Sequence, residues 1–111
     1  MIYFIELWNA KPTWMALSPK ERGQYMAQIG PHIQKLLEKG VKVLTWSDND
    51  PKTSQKAAFD YFAIWTFPDQ ETANGFEELV EAAGWYNYFE QVNVMGRENT
   101  VENLIGQLVQ L

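Results

Sequence analysis

Residues 2–8 (IYFIELW) are apolar or aromatic at nearly every position, the pattern of a central strand covered on both faces. A connection broken by Pro12 leads to Ser18-Pro19-Lys20-Glu21. Ser18 can cap a helix there, Pro19 fits its first turn, and Glu21 completes a capping box. Tyr25, Met26, Ile29, Ile33, Leu36 and Leu37 then recur at helical spacing, with Gly40 as the stop. Gly30-Pro31 falls inside the stripe and predicts a kink or two short helices end to end. Residues 41–47 (VKVLTWS) and 58–67 (AFDYFAIWTF) read as strands on either side of a polar loop. Asp69 can cap a helix over about 70–83, whose inner face carries Phe76, Leu79, Val80 and Ala83. Gly84 stops that helix, and 86–95 (YNYFEQVNVM) reads as a last strand. Thr100 can cap a short C-terminal helix bearing Val101, Leu104, Ile105 and Leu108.

The order is β-α-β-β-α-β plus a tail helix. With right-handed crossovers it folds as an α+β domain: a four-stranded antiparallel sheet with both long helices on one face. At 111 residues the chain has room for one core, so a single domain over 1–111 is expected.

Alternation along the strands separates two sheet faces. One set holds Phe4, Glu6, Trp8, Tyr61, Ala63, Trp65, Gln91 and Asn93. The other holds Tyr3, Ile5, Leu7, Phe62, Ile64, Thr66, Glu90, Val92 and Val94. The smoother aliphatic set suits packing under helices. The mixed set, with large aromatics beside polar groups, is expected on the uncovered face, where a patch of that size calls for a cover: a second subunit laid sheet to sheet by two-fold symmetry, or the C-terminal helix.

Composition supports assembly. Five Trp, five Tyr and six Phe make up 14% of the chain, more than so small a monomer readily hides. The net charge of −5 disfavours nucleic acid and anionic membrane surfaces, both of which are bound through Lys and Arg. No cysteine is present, which removes disulfides and thiolate chemistry. No apolar run nears the roughly 20 residues of a membrane span, and MIYFIELWNAK lacks a signal-peptide pattern. A soluble, cytoplasmic protein is expected.

The segment FDYFAIWTFPDQETANGFEELVEAAGWYNYFEQVNV resembles the dimeric α+β barrel superfamily, in which two ferredoxin-like sheets close around a cavity. With IELW and RGQYMAQIGPHIQKLL, the full length is similar to a small bacterial family without assigned activity. The resemblance implies a homodimer and a range of activities, among them cofactor-free oxygenation, haem degradation, cyclisation and isomerisation. The haem-degrading members resemble one another in a first-strand Asn, a third-strand Trp and a second-helix His. Asn9 and Trp65 match, but that helix has no His near Phe76, so the resemblance does not extend to haem.

Candidate chemistry centres on the mixed face. Phe4, Glu6, Trp8, Tyr61, Trp65, Gln91 and Asn93 are the expected ligand-binding set, apolar walls with few polar groups. Glu6 is its one carboxylate, and burial would suit it as a general base; Tyr61 is a further catalytic candidate. The alternative is that these residues only build a dimer interface. His32 is the only histidine and the third catalytic candidate, although a helix-surface role is the commoner outcome. A lone His cannot build a histidine-rich metal site. Asp48-Asn49-Asp50 fails the calcium-loop pattern, with Thr53 and Phe59 where Gly and an acid are needed. IYFIEL and Phe59, Tyr61 and Phe62 look like an RNA-recognition sheet, but the basic and glycine positions are missing and Asp60 lies among the aromatics. The expectation is a small apolar or aromatic ligand and cofactor-independent chemistry, with no cofactor and no metal.

Overall fold

The computed structural model describes residues 1–111. Its elements are β1 (Ile2–Ala10), α1 (Pro12–Met15), α2 (Pro19–Glu38), β2 (Lys42–Asp48), β3 (Tyr61–Phe67), α3 (Gln70–Ala82), α4 (Trp85–Tyr88), β4 (Phe89–Arg97) and α5 (Val101–Val109). The strands form one sheet in the order β2-β3-β1-β4, every neighbouring pair antiparallel. This is the ferredoxin-like arrangement that the element order implied.

The helix boundaries follow their capping chemistry. Ser18 accepts from the Glu21 backbone N–H while the Glu21 carboxylate accepts from the Ser18 N–H, so both halves of the capping box are present. Asp69 caps α3 through the Thr72 N–H at 2.7 Å, and Thr100 caps α5 through the Asn103 N–H at 3.1 Å. Pro31 does not divide α2, which runs unbroken over 20 residues. Proline removes one donor from the ladder, and the helix on either side makes enough bonds to carry the gap.

The last strand begins later than its sequence suggests. Gly84, with φ +74°, turns the chain into the short helix α4, and extended backbone resumes at Phe89. Only a residue without a Cβ takes that left-handed turn cheaply. The Tyr86 and Asn87 carbonyls then accept from Lys11 Nζ and Thr13 Oγ1, tying α4 to α1.

The register confirms the two face sets and reverses their roles. Phe4 pairs with Trp65, Glu6 with Ala63 and Asn93, and Trp8 with Tyr61 and Gln91, so these side chains do share a face. That face is the covered one. The core joins Ile2, Phe4, Ala63, Trp65 and Phe67 of the sheet to Leu36 of α2 and to Ala73 and Phe76 of α3. The expectation that the aliphatic set lies beneath the helices is therefore corrected: Val92 and Val94, 48% and 56% exposed, stand on the open face with Ile5, Leu7 and Ile64. The mixed set is tolerated under helices because its polar members satisfy one another, as described below.

Along α5 the apolar residues Val101, Leu104, Ile105 and Leu108 are all at least half exposed. No helix of the protein is long and apolar enough to cross a membrane.

Candidate active site

Between the covered sheet face and the two long helices lies a cavity of about 350 Å³. Glu6 and Trp65 line it from the two central strands, with Trp8 beside them and Trp46 from β2. Met26, Ile29 and Ile33 of α2 close one side, and Phe76, Leu79 and Val80 of α3 the other. Ala83 and Trp85, where α3 gives way to α4, complete the wall. Twelve of the 15 lining residues are hydrophobic, so the polar members stand out: Glu6 and His32, with Gly30 beside the latter.

Glu6 is 7% exposed. Its Oε1 accepts from the Trp65 indole Nε1 at 2.6 Å, and its Oε2 accepts from Gln91 Nε2 at 2.8 Å. The same Gln91 nitrogen donates to Asn93 Oδ1 at 2.8 Å, while Gln91 Oε1 accepts from the Trp85 indole at 2.7 Å. Indole nitrogens only donate, so Trp85 fixes which end of Gln91 is its oxygen and thereby aims the amide nitrogen at Glu6. The sheet register builds this chain, since it sets Glu6 beside Asn93 and Trp8 beside Gln91. No buried side-chain polar atom lacks a partner.

Burial raises the Glu6 pKa above the ordinary carboxylate value, against the lowering effect of the Gln91 and Trp65 hydrogen bonds. Burial likewise raises Tyr86, opposed by a hydrogen bond with Asn93 and reinforced by the negative charge of Glu6. Tyr25 is raised by burial and by Tyr88; its hydroxyl donates to the Ala83 carbonyl at 2.8 Å, fastening α2 to the end of α3.

The structure distributes the sequence candidates over distinct places. Glu6, Trp8 and Trp65 line the cavity, and His32 reaches it from an exposed position on α2. Gln91 positions Glu6 from behind, and Asn93 holds Gln91 in turn. Tyr61 is exposed at the rim, its ring stacked on Trp8 at 5.8 Å. Phe4 is a core residue packed against Phe67 and Phe76. Asn9 ties down the loop before β3, donating to the Ala58 carbonyl and accepting from the Asp60 N–H. Asp50 is engaged locally with the Lys52 N–H. No group of three or more His, Cys, Asp and Glu side chains is placed to hold a metal ion.

Sequence reasoning missed Trp46 and Trp85. Trp46 is displaced by a register irregularity between Val43 and Thr45, which breaks simple alternation along β2. Trp85 falls between the helix stopped by Gly84 and the strand expected over 86–95, where strand alternation assigns no face. The signal for it was Gly84, which favours a left-handed turn rather than a direct entry into β structure.

Over residues 1–111 the chain matches a family of unknown function (DUF6616). The chain belongs to this family. No curated protein matches it in sequence. Among solved structures, a putative chlorite dismutase superposes with a TM-score of 0.68 at 17% identity, covering 96% of this chain and 47% of that one. The chain thus spans about half of that relative. The protein At3g17210 of Arabidopsis thaliana superposes with a TM-score of 0.63 at 9% identity, covering 91% and 98% of the two chains. At these identities the likeness is one of fold alone, a ferredoxin-like four-stranded antiparallel sheet with helices. This family member keeps that architecture around its own set of cavity residues.

Proposed function

We propose that the protein binds a small, largely apolar or aromatic molecule in the cavity between sheet and helices, with Glu6 as the acceptor that orients it. One observation carries this reading: a single buried carboxylate faces a cavity of about 350 Å³ whose walls are otherwise almost wholly apolar. Ligand sites combine such walls with a few convergent polar groups. A carboxyl whose proton affinity is raised by burial is also suited to take a proton from a bound molecule and return it. That capacity fits isomerisation, proton transfer or a cofactor-independent oxygenation.

The test is a binding screen of small aromatic molecules by calorimetry against the wild type and Ala83→Leu, which grows a side chain into the cavity. Binding to the wild type that Ala83→Leu abolishes supports the site. Ligands that bind both proteins equally lie elsewhere, and the assignment then fails.

The reading in which the aromatic face is only dimer glue loses its footing, because α2 and α3 cover that face. The assembly we propose is a homodimer through the opposite one. Val92 and Val94 are exposed there beside Ile5, Leu7 and Ile64, and the apolar stripe of α5 has no partner in its own chain. A nine-residue helix is too short to hold its shape alone in water, so α5 gains from docking on the second subunit. Native mass spectrometry of the wild type and Val94→Asp tests this. A dimer that Val94→Asp converts to monomer supports the open face as the interface, and a wild-type monomer removes it.

A further inference from the structure

The indoles around Glu6 stand at steep angles to one another. Trp8 meets Trp46 at 73° with ring centroids 6.1 Å apart, and it meets Trp85 at 70° and 6.3 Å. Trp46 in turn meets Trp65 at 63° and 6.1 Å. Rings set nearly at right angles make the corner of a box, whereas parallel rings would fill the space with their own stack. All four of these indoles line the one cavity, and so does Glu6.

The electrostatics of this box lean to one sign. Aromatic faces present negative potential to whatever lies over them. Glu6 adds a carboxylate whose protein partners are both hydrogen-bond donors, Trp65 and Gln91. Two donors use only half of the roughly four lone-pair sites a carboxylate offers. No lysine or arginine lines the cavity, and its one basic side chain, His32, stands exposed on α2 and is not a hydrogen-bond partner of Glu6. A buried carboxylate left without a cation is costly, and the molecule that relieves it is one bringing a positive charge.

Ligand classes separate on these terms. An anionic group would meet Glu6 with no lysine or arginine to compensate it. A neutral hydroxyl would satisfy a lone pair of Glu6 but gain little from the rings. A protonated amine donates to the carboxylate and is attracted to the indoles as well, the combination by which aromatic cages recognise ammonium groups.

Resting on the cavity reading above, we infer that the ligand is a small organic cation: a protonated amine on an apolar or aromatic body, its ammonium seated between Glu6 and the indoles of Trp8, Trp46, Trp65 and Trp85. The apolar body then lies along the side chains of α2 and α3, where Ile29, Ile33 and Leu79 offer no polar atom.

Three probes of matched shape test the charge requirement: phenethylammonium, phenethyl alcohol and phenylacetate, titrated calorimetrically into the full-length protein. The ammonium is expected to bind at least about tenfold more tightly than the alcohol, a ratio matching the strength of desolvated cation–π and ionic attraction. Phenylacetate is expected not to bind. Glu6→Gln should reduce the ammonium to the level of the alcohol. Because that substitution also disturbs a buried network, Trp46→Leu serves as the second variant; Trp46 is exposed enough for the fold to tolerate its loss, and the change should weaken the ammonium severalfold and spare the alcohol. Alcohol binding as tight as the ammonium would leave the cavity reading standing and overturn the cation. Equal weakening of both probes by Trp46→Leu would do the same. Failure of all three probes to bind would take both readings down together.

Discussion

Glu6→Gln exchanges one acceptor oxygen for an amide nitrogen that only donates, and it removes the ionisable proton. Two donors converge on the position, the Trp65 indole at 2.6 Å and the Gln91 amide at 2.8 Å. Trp65 has no other polarity to offer, and Gln91 cannot turn over without facing its nitrogen toward the Trp85 indole that now donates to its oxygen. The introduced amide nitrogen must therefore oppose one donor, and a buried donor left unpaired costs about 1–3 kcal/mol. A protonated Glu6 suffers no such conflict, because its hydroxyl keeps lone pairs for the incoming N–H. The ionised form carries a different cost, since burial places the folded-state pKa of Glu6 above its unfolded value. The stability linked to that displacement is fully present below the unfolded pKa and is lost as pH rises through the folded one. It amounts to about 1.4 kcal/mol for each tenfold change in proton affinity. The variant cannot show this loss. Glu6→Gln should hence be most destabilising in mild acid, and its deficit should shrink toward neutral pH. Urea unfolding of both proteins across about pH 4 to 8 measures the difference, over the range where a raised carboxyl titrates. Glu21 and Asp69, whose pKa values are lowered by their capping bonds, act in the opposite sense but are common to both proteins and cancel. A deficit that stays constant over that range, or grows with pH, would refute the reasoning.

Trp65→Phe removes the donor to Oε1 and leaves a smaller ring at a fully buried position, so unfolding free energy should fall by at least about 1.5–3 kcal/mol, the worth of a hydrogen bond to a charged group. Since that bond lowers the Glu6 pKa, the pH-dependent loss of stability should also move to higher pH, and an unmoved profile would disprove the coupling. Tyr25→Phe deletes the hydroxyl bond to the Ala83 carbonyl and should cost about 0.5–1.5 kcal/mol in urea unfolding. No measurable change would show that Tyr25 holds its place through its ring contacts with Trp14 and Tyr88 alone. Gly84→Ala forces a side chain into left-handed backbone and brings its Cβ within 3.1 Å of Asn87 Nδ2. A loss of about 1–2 kcal/mol is expected from the backbone conformation, and a neutral result would mean that the turn into α4 relaxes.

Much of the architecture was legible because its signals are local. Ser18 with Glu21, Asp69 with Thr72 and Thr100 with Asn103 form their caps within four residues of chain, so the starts of α2, α3 and α5 stood in the sequence. The start of the last strand did not. Trp85 to Tyr88 has the aromatic content of a strand, but the turn at Gly84 and the bonds from Lys11 and Thr13, over 70 residues away, hold it as helix. The candidate site was half legible. Glu6, Trp8 and Trp65 came out together because a period of two puts them on one face. Trp46 and Trp85 did not, because a register irregularity and a distant tie place them. Tyr61 and Phe4 shared the right face but sit at its rim and in its core, a distinction that alternation cannot make.

The sequence by itself determined which side chains stand together on each side of the sheet, since alternation along a strand is a property of the extended chain. Only the tertiary structure decided which side faces the helices. A carboxylate, two amides and several tryptophans look unsuited to a helix-covered face until the indole of Trp65 is seen donating to Glu6 and that of Trp85 to Gln91. The Trp65 bond joins two strands through residues 59 apart in the chain, so no local stretch of sequence contains both partners. Once these bonds form, the polar groups are satisfied in place, the aromatics border a cavity, and the aliphatic face is the one left open.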